Sequence, residues 1–237
     1  MRQRTGLVAC CIAAATLAGT PTALAQQTLN IQLGGFTPRG EDARVEGDIL
    51  NQELDVLAFE ISDFNGPVIG AEWLVPLGHY FEAGAGVGFS RRTVASVYQR
   101  FVDVDGSEIE QDLRLRIVPV ALTIRALPLG QSSPVQPYFG GGVGILGWRY
   151  SESGEFVDFG NQNTIFREQY VASGSETGPL ALAGLRLAGD TMSAGAEVRY
   201  QSAAADLGGI FDSFAREPRI DLGGWSYLFT VGLRFGR

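Results

Sequence analysis

Lysine is absent from this chain: all 18 basic residues are arginine, and they face 26 acidic residues for a formal net charge of −8. A chain this acidic repels phosphate backbones, so nucleic acid is not an expected partner. Cysteine is confined to Cys10 and Cys11, and His79 is the only histidine. With so few thiol and imidazole groups, neither a transition-metal centre nor a Ser-His-Asp triad has the donors it needs. No cofactor, metal or catalytic residue is therefore expected. His79 itself falls in a short turn, without the oriented partner and nearby nucleophile that a general base requires. Long apolar runs are missing too. Nothing after residue 25 approaches the about 20 apolar residues of a transmembrane helix, which excludes a helical inner-membrane protein.

What is present begins at the N-terminus. Met1-Arg2-Gln3-Arg4 is a short basic segment, Leu7 to Leu17 an apolar core, and Ala23-Leu24-Ala25 a small-x-small cleavage site. Residues 1–25 read as a secretory signal cut before Gln26, and residues 26–237 as a single β domain. A lipid-attachment box at Leu7-Val8-Ala9-Cys10 is the rival reading, but its cysteine arrives before the apolar core has run its length. Both cysteines leave with the signal. The exported domain must then be held by backbone pairing and packing, not by disulfides.

Period-2 alternation dominates the rest. In the last segment, 224–235, Trp225, Tyr227, Phe229, Val231, Leu233 and Phe235 share one face; Gly224, Ser226, Leu228, Thr230, Gly232 and Arg234 share the other. Such a strand closes a transmembrane barrel or half-buries itself in a soluble sandwich. Seven more strands are expected at about 28–36, 67–77, from 82 onward, 108–126, 136–150, 179–187 and 192–201. The connections after strands two, four and six are short; those after one, three, five and seven are long and acidic. Outer-membrane barrels show this asymmetry, with short periplasmic turns and long extracellular loops. Glycine, 32 residues in all, is concentrated inside the strands. It weakens a sheet but suits a narrow barrel interior, where small side chains are needed. The expected fold is all-β: an eight-stranded antiparallel up-and-down transmembrane β-barrel. Strands three and four are long enough to project beyond a membrane, turning at Asp103-Val104-Asp105-Gly106. Aromatics fall in two bands, Trp73, Tyr80, Phe81, Phe139 and Phe235 at the turn end and Phe89, Trp148, Tyr200 and Trp225 at the loop end.

The residues Pro137-Tyr138-Phe139-Gly140-Gly141-Gly142-Val143-Gly144, Gly184-Leu185-Arg186-Leu187 and Val231-Gly232-Leu233-Arg234-Phe235, with the signal segment, carry a family likeness. Over residues 26–237 the chain resembles the OmpA-type eight-stranded transmembrane barrels. The resemblance implies the outer membrane, its lipids and lipopolysaccharide as surroundings, the barrel assembly machinery as a folding partner, and a monomer. Gly236 and Arg237 follow the terminal aromatic, where family members often end on it. No appended periplasmic domain is expected, so peptidoglycan anchoring is not implied.

Parity and depth place charges in the lumen. Glu72, Arg116, Glu197 and Arg199 are expected inside near the middle, and Glu82, Arg125, Arg186 and Arg234 nearer the turn end. Residues 82 and 125 fall opposite one another. For Arg114, Arg116 and Arg125 all to face inward the register must slip once, and Pro119 suggests a bulge near 117–119. Charges inside a narrow barrel must pair or bind water. They form either a salt-bridged plug or a gate for ions and small solutes. The first loop, 37–66, is rich in Asp and Glu around an apolar run, Val56-Leu57-Ala58-Phe59. It reads as a solvated loop tucked on the barrel mouth, or as a binding surface. Asp103–Glu108 fails calcium-loop spacing, and Gly140–Gly144 lacks the helix and lysine of a phosphate cradle. The expected role is non-enzymatic, structural or surface-binding. A narrow channel, a lipid-modifying enzyme and a lipocalin-like soluble binder are the alternatives.

Overall fold

A computed structural model describes residues 26–209, 211 and 217–236. The signal reading on residues 1–25 lies outside the described residues, as does Arg237. Eight strands close into an antiparallel barrel: β1 (Gln27–Pro38), β2 (Gly66–Pro76), β3 (Phe81–Val102), β4 (Glu108–Ala126), β5 (Val135–Asp158), β6 (Thr164–Ala188), β7 (Met192–Gln201) and the last strand, β10 (Gly224–Phe235). A small hairpin, β8 (Ala204–Asp206) and β9 (Arg219–Asp221), lies in the connection between β7 and β10. The ring closes where β1 pairs β10, from Gln27↔Phe235 to Pro38↔Gly224 without a register break.

The strands sit as they do because their outer faces are apolar. Leu122, Phe229 and Leu233 are 63%, 74% and 57% exposed, and Ile31, Ile69, Val87 and Val143 also face out. No soluble fold leaves so much contiguous apolar surface uncovered. On β3, β4 and β5 the apolar outward tracts run over 81–89, 118–126 and 139–147. Each matches the about 9–11 residues that a tilted strand needs to span hydrocarbon. Trp73, Tyr80, Phe81, Phe139 and Phe235 are exposed at the turn end, and Phe89 and Trp225 at the loop end. Trp148 departs from this pattern. Its even position turns it inward, where it is 5% exposed in an apolar core.

Three strand-level expectations change. The connection expected between strands five and six is instead a continuous hairpin, β5 running to Asp158 and β6 starting at Thr164. Above the membrane both faces of a sheet meet water or polar loops, so the apolar alternation that marks a spanning strand fades there. The bulge expected at 117–119 is absent: Ile117↔Trp148, Val118↔Gly147 and Pro119↔Leu146 continue one register. The β3–β4 ladder shifts between Val97 and Val102, near the hairpin tip. No slip is needed because Arg114 and Arg116 do not face inward. β4 keeps a single parity, with Gln111, Leu113, Leu115, Ile117, Ala121, Thr123 and Arg125 inside and Arg116 on the outer face.

Candidate functional site

The lumen and the mouth of the barrel hold the polar groups that could do chemistry or gate transport. Near the turn end, six of the eight expected residues meet in one layer. Arg125, 1% exposed, donates through Nη2 to Glu72 and, at 2.8 Å, to Glu197 Oε2. Its Nη1 lies 3.7 Å from Glu82 Oε1, the residue directly across the β3–β4 ladder. Arg186 forms a two-pronged pair with Glu82 at 2.9 and 3.2 Å and donates to Gln136 Oε1 at 2.8 Å. Arg199 reaches Glu197 Oε1 with Nη2 at 2.7 Å and Glu72 Oε1 at 3.6 Å. Three guanidinium groups thus balance three carboxylates. Such pairing offsets the several kcal/mol that a lone buried charge costs in a narrow interior.

Neutral side chains complete the layer. Tyr138 donates to Glu197 Oε2 at 3.1 Å, and its ring lies 4.8 Å from the Arg125 guanidinium, a cation–π contact. Gln32 donates to Glu72 Oε2 at 2.9 Å. Neither was placed in the charge network from the sequence. Parity alone would have found them, because a polar residue on the inward face of a barrel strand must bond to something there. Glycine makes the room. A Cβ on Gly184 would stand 2.5 Å from the Tyr138 ring, and one on Gly84 would be 2.9 Å from Glu72 Oε1.

Two expected members stand elsewhere. Arg116 is exposed on the outer wall, above the apolar belt, outside the lumen. Arg234 sits at the turn-end rim, donating through Nη1 to the Gly189 carbonyl at 2.6 Å. His79 lies in the 77–80 turn with its ring edge-on to Tyr80, 4.6 Å between centroids.

At the opposite end loops fold over the mouth of the barrel. Within the first loop the short helix α1 (Ile49–Glu53) starts at Asp48, whose Oδ1 accepts from Asn51 N. Arg44 clamps Asp48 with Nε at 2.6 Å and Nη2 at 2.9 Å. Asp48 Oδ2 also accepts from Asp221 N at 2.7 Å, and Arg39 pairs with Asp221 at 3.0 Å. This network ties the first loop to β9. On the other side, Ala58 N donates to Val97 O and Gln99 N to Val56 O, pinning the loop along the free edge of β3. The seam encloses an apolar core: Ile49, Leu50, Leu57, Ile61 and Phe64 from the loop meet Leu113, Leu115, Ile117, Leu146 and Trp148 from the wall. Ala205, Phe211, Ile220 and Leu222 of the β7–β10 connection complete it. Of the first loop's acids, Asp48 is therefore structural and buried, whereas Glu41, Asp42, Glu46, Asp55, Glu60 and Asp63 remain at the surface.

One acidic contact in the mouth is unusual. Glu152, on the part of β5 beyond the apolar belt, is 1% exposed, and its Oε1 has no hydrogen-bond partner. Burial, together with the Glu53 charge, pushes its carboxyl up to about 8, and burial pushes Glu53 up to about 7. Among the described residues no group of three or more His, Cys, Asp and Glu is arranged to hold a metal.

No family model matches the chain, and no curated protein matches it. Solved structures do. The outer membrane protein OprG from Pseudomonas aeruginosa aligns with a TM-score of 0.52 at 13% identity, over 91% of this chain and 98% of that one. Ail of Yersinia pestis aligns at 0.42 with 12% identity, over 89% and 99%. The N-terminal β-barrel domain of Pseudomonas aeruginosa OprF aligns at 0.39 with 13% identity, over 90% and 99%. The likeness to OprG shows a common fold, the eight-stranded barrel of an outer-membrane protein.

Proposed function

We propose that this chain is a bacterial outer-membrane barrel without catalytic activity, closed to solutes, that holds a raised sheet and a sealed loop cap at the cell surface for binding. The short turns then face the periplasm and the loop end faces outward. The apolar outer belt supports the membrane assignment, and a soluble lipocalin-like binder would instead keep its apolar stripe on a cavity. The observation that carries the closed, non-channel reading is the buried core at the mouth, where loop and wall side chains pack as in a soluble domain. Beneath it lies a second barrier, the charge-balanced layer around Arg125. A channel would require both to move together. An enzyme acting on outer-leaflet lipid would need an accessible base beside a nucleophile at the loop end; His79 is at the other end, and the Glu152 carboxyl is buried.

Binding is proposed for the sheet that rises beyond the belt. The β5–β6 hairpin turns only at residues 159–163, and β3–β4 stands beside it. At about 3.3 Å per residue, the stretch of β5 beyond residue 149 adds roughly 30 Å of strand. Fractionation and heat-modifiable gel mobility test the membrane reading; a heat-insensitive protein in the soluble periplasm sinks it. Planar-bilayer recording tests closure, and discrete conductance steps from the purified wild type would favour the narrow-channel alternative.

A further inference from the structure

Four arginines on the outer wall stand where no carboxylate among the described residues answers them. Along β3 the outward residues run apolar to Phe89 and then turn to Arg91; along β4 they run apolar to Val118 and turn to Arg116; along β5 they run through Ile145 and Gly147 to Arg149. These three are direct cross-strand neighbours, Arg91↔Arg116 and Arg116↔Arg149. Arg114 follows one outward position further along, its Nε donating to Thr93 Oγ1 at 3.1 Å. Together with Ser151 and Gln169 they line a hollow of about 210 Å³. No carboxylate lies within ion-pairing distance of any of the four among the described residues, although most other arginines of the barrel and cap have one.

Like charges directly opposite across a sheet repel and destabilise it. Ordinary surface strands interleave signs, and this acidic chain has carboxylates enough to do so. The arrangement is intelligible if the balancing anions come from outside. Its level names them: on each of the three strands the arginine is the first outward residue past the membrane-spanning tract, at headgroup depth. Guanidinium groups bind phosphate with two parallel charge-assisted hydrogen bonds, and the hydroxyl and amide of Ser151 and Gln169 suit a sugar. We propose that Arg91, Arg114, Arg116 and Arg149 form a binding site for the phosphorylated glycolipid headgroup of the outer leaflet. The site deepens the membrane reading given above and rests on it.

The test uses the refolded full domain in detergent, first checked for heat-modifiable mobility, which fails separately if the chain is not a membrane barrel. Native mass spectrometry then measures binding of lipid A carrying both phosphates, and of the same lipid carrying none. The wild type is expected to prefer the phosphorylated form. R91Q/R116Q/R149Q should lose roughly a hundredfold in affinity for it, about fivefold per arginine, with binding of the dephosphorylated lipid unchanged. R149Q alone should lose about fivefold, and R167Q, which disrupts the exposed pair with Glu155, should lose none. Equal binding of both lipids by the wild type, or an unchanged affinity in the folded triple variant, overturns the proposal. Displacement of the lipid by inorganic phosphate at equimolar concentration also overturns it, in favour of a free-phosphate site.

Discussion

Replacing Arg125 by methionine removes one of three positive charges from a layer that is balanced only because it has three. Glu72 keeps Gln32 and a 3.6 Å approach from Arg199; Glu197 keeps Arg199 and Tyr138. One unit of negative charge is left with no partner among side chains only a few per cent exposed. Breaking a buried pair from one side costs about 3–5 kcal/mol. The cation–π contact with Tyr138 adds to that loss. Adding Glu72→Gln restores balance and leaves two matched pairs, Arg186 with Glu82 and Arg199 with Glu197. R125M/E72Q should therefore recover at least half of what R125M loses, a coupling of about 2 kcal/mol between contacting sites. Urea unfolding in detergent micelles, followed by tryptophan fluorescence, measures both. An R125M barrel within 1 kcal/mol of wild type, or a double variant no better than the single one, would refute the ledger of charges (bound set at about 1 kcal/mol, the worth of an exposed pair).

Gly184→Val should cost about 1–3 kcal/mol in the same assay, because its side chain must push the Tyr138 ring off Glu197. Leu57→Asp places a carboxylate in the core of the cap; the first loop should become cleavable by added protease while the heat-modifiable barrel persists, and a loop as resistant as wild type would contradict the packing. Glu53 and Glu152 carry carboxyls raised to about 7 and about 8. The folded cap then holds protons that the unfolded chain releases above the ordinary carboxylate range, so cap stability is full below about pH 4.5, falls progressively as pH rises to about 8, and is flat beyond that. Hydrogen exchange in α1 should accelerate between about pH 5 and 8 beyond its intrinsic pH dependence, and E152Q should flatten that rise.

The spanning parts of the strands were readable because hydrocarbon imposes a strict alternation: Phe81 to Phe89 on β3 and the whole of β10 announce both faces. Once a strand leaves the membrane the constraint lifts. Residues 151–178 read as loop for that reason, since Ser151-Glu152-Ser153 and Glu168-Gln169 give no apolar face to count. Arg116 was misplaced by the same boundary. Grouping it with Arg125 assumed one environment along β4, whereas the strand leaves the hydrocarbon between Val118 and Arg116, and an arginine on the outer wall there needs no partner inside the lumen. The cap was visible only as the apolar run Val56–Phe59. Its other half comes from Ala205 and Ile220, far along the chain, and no local periodicity reports a contact made across such a separation.

Closure of the ring joins Gln27 to Phe235. That pairing brings together almost the two extremes of the described chain, and the entropy of loop closure must be met before a single bond of the ladder forms. Until β10 arrives, β1 presents an open row of backbone donors and acceptors, and every partial sheet has two such borders in a solvent that cannot satisfy them if it is lipid. The ring can therefore close only once β10 has been made, and the interval before closure is the period in which the chain is most exposed to aggregation.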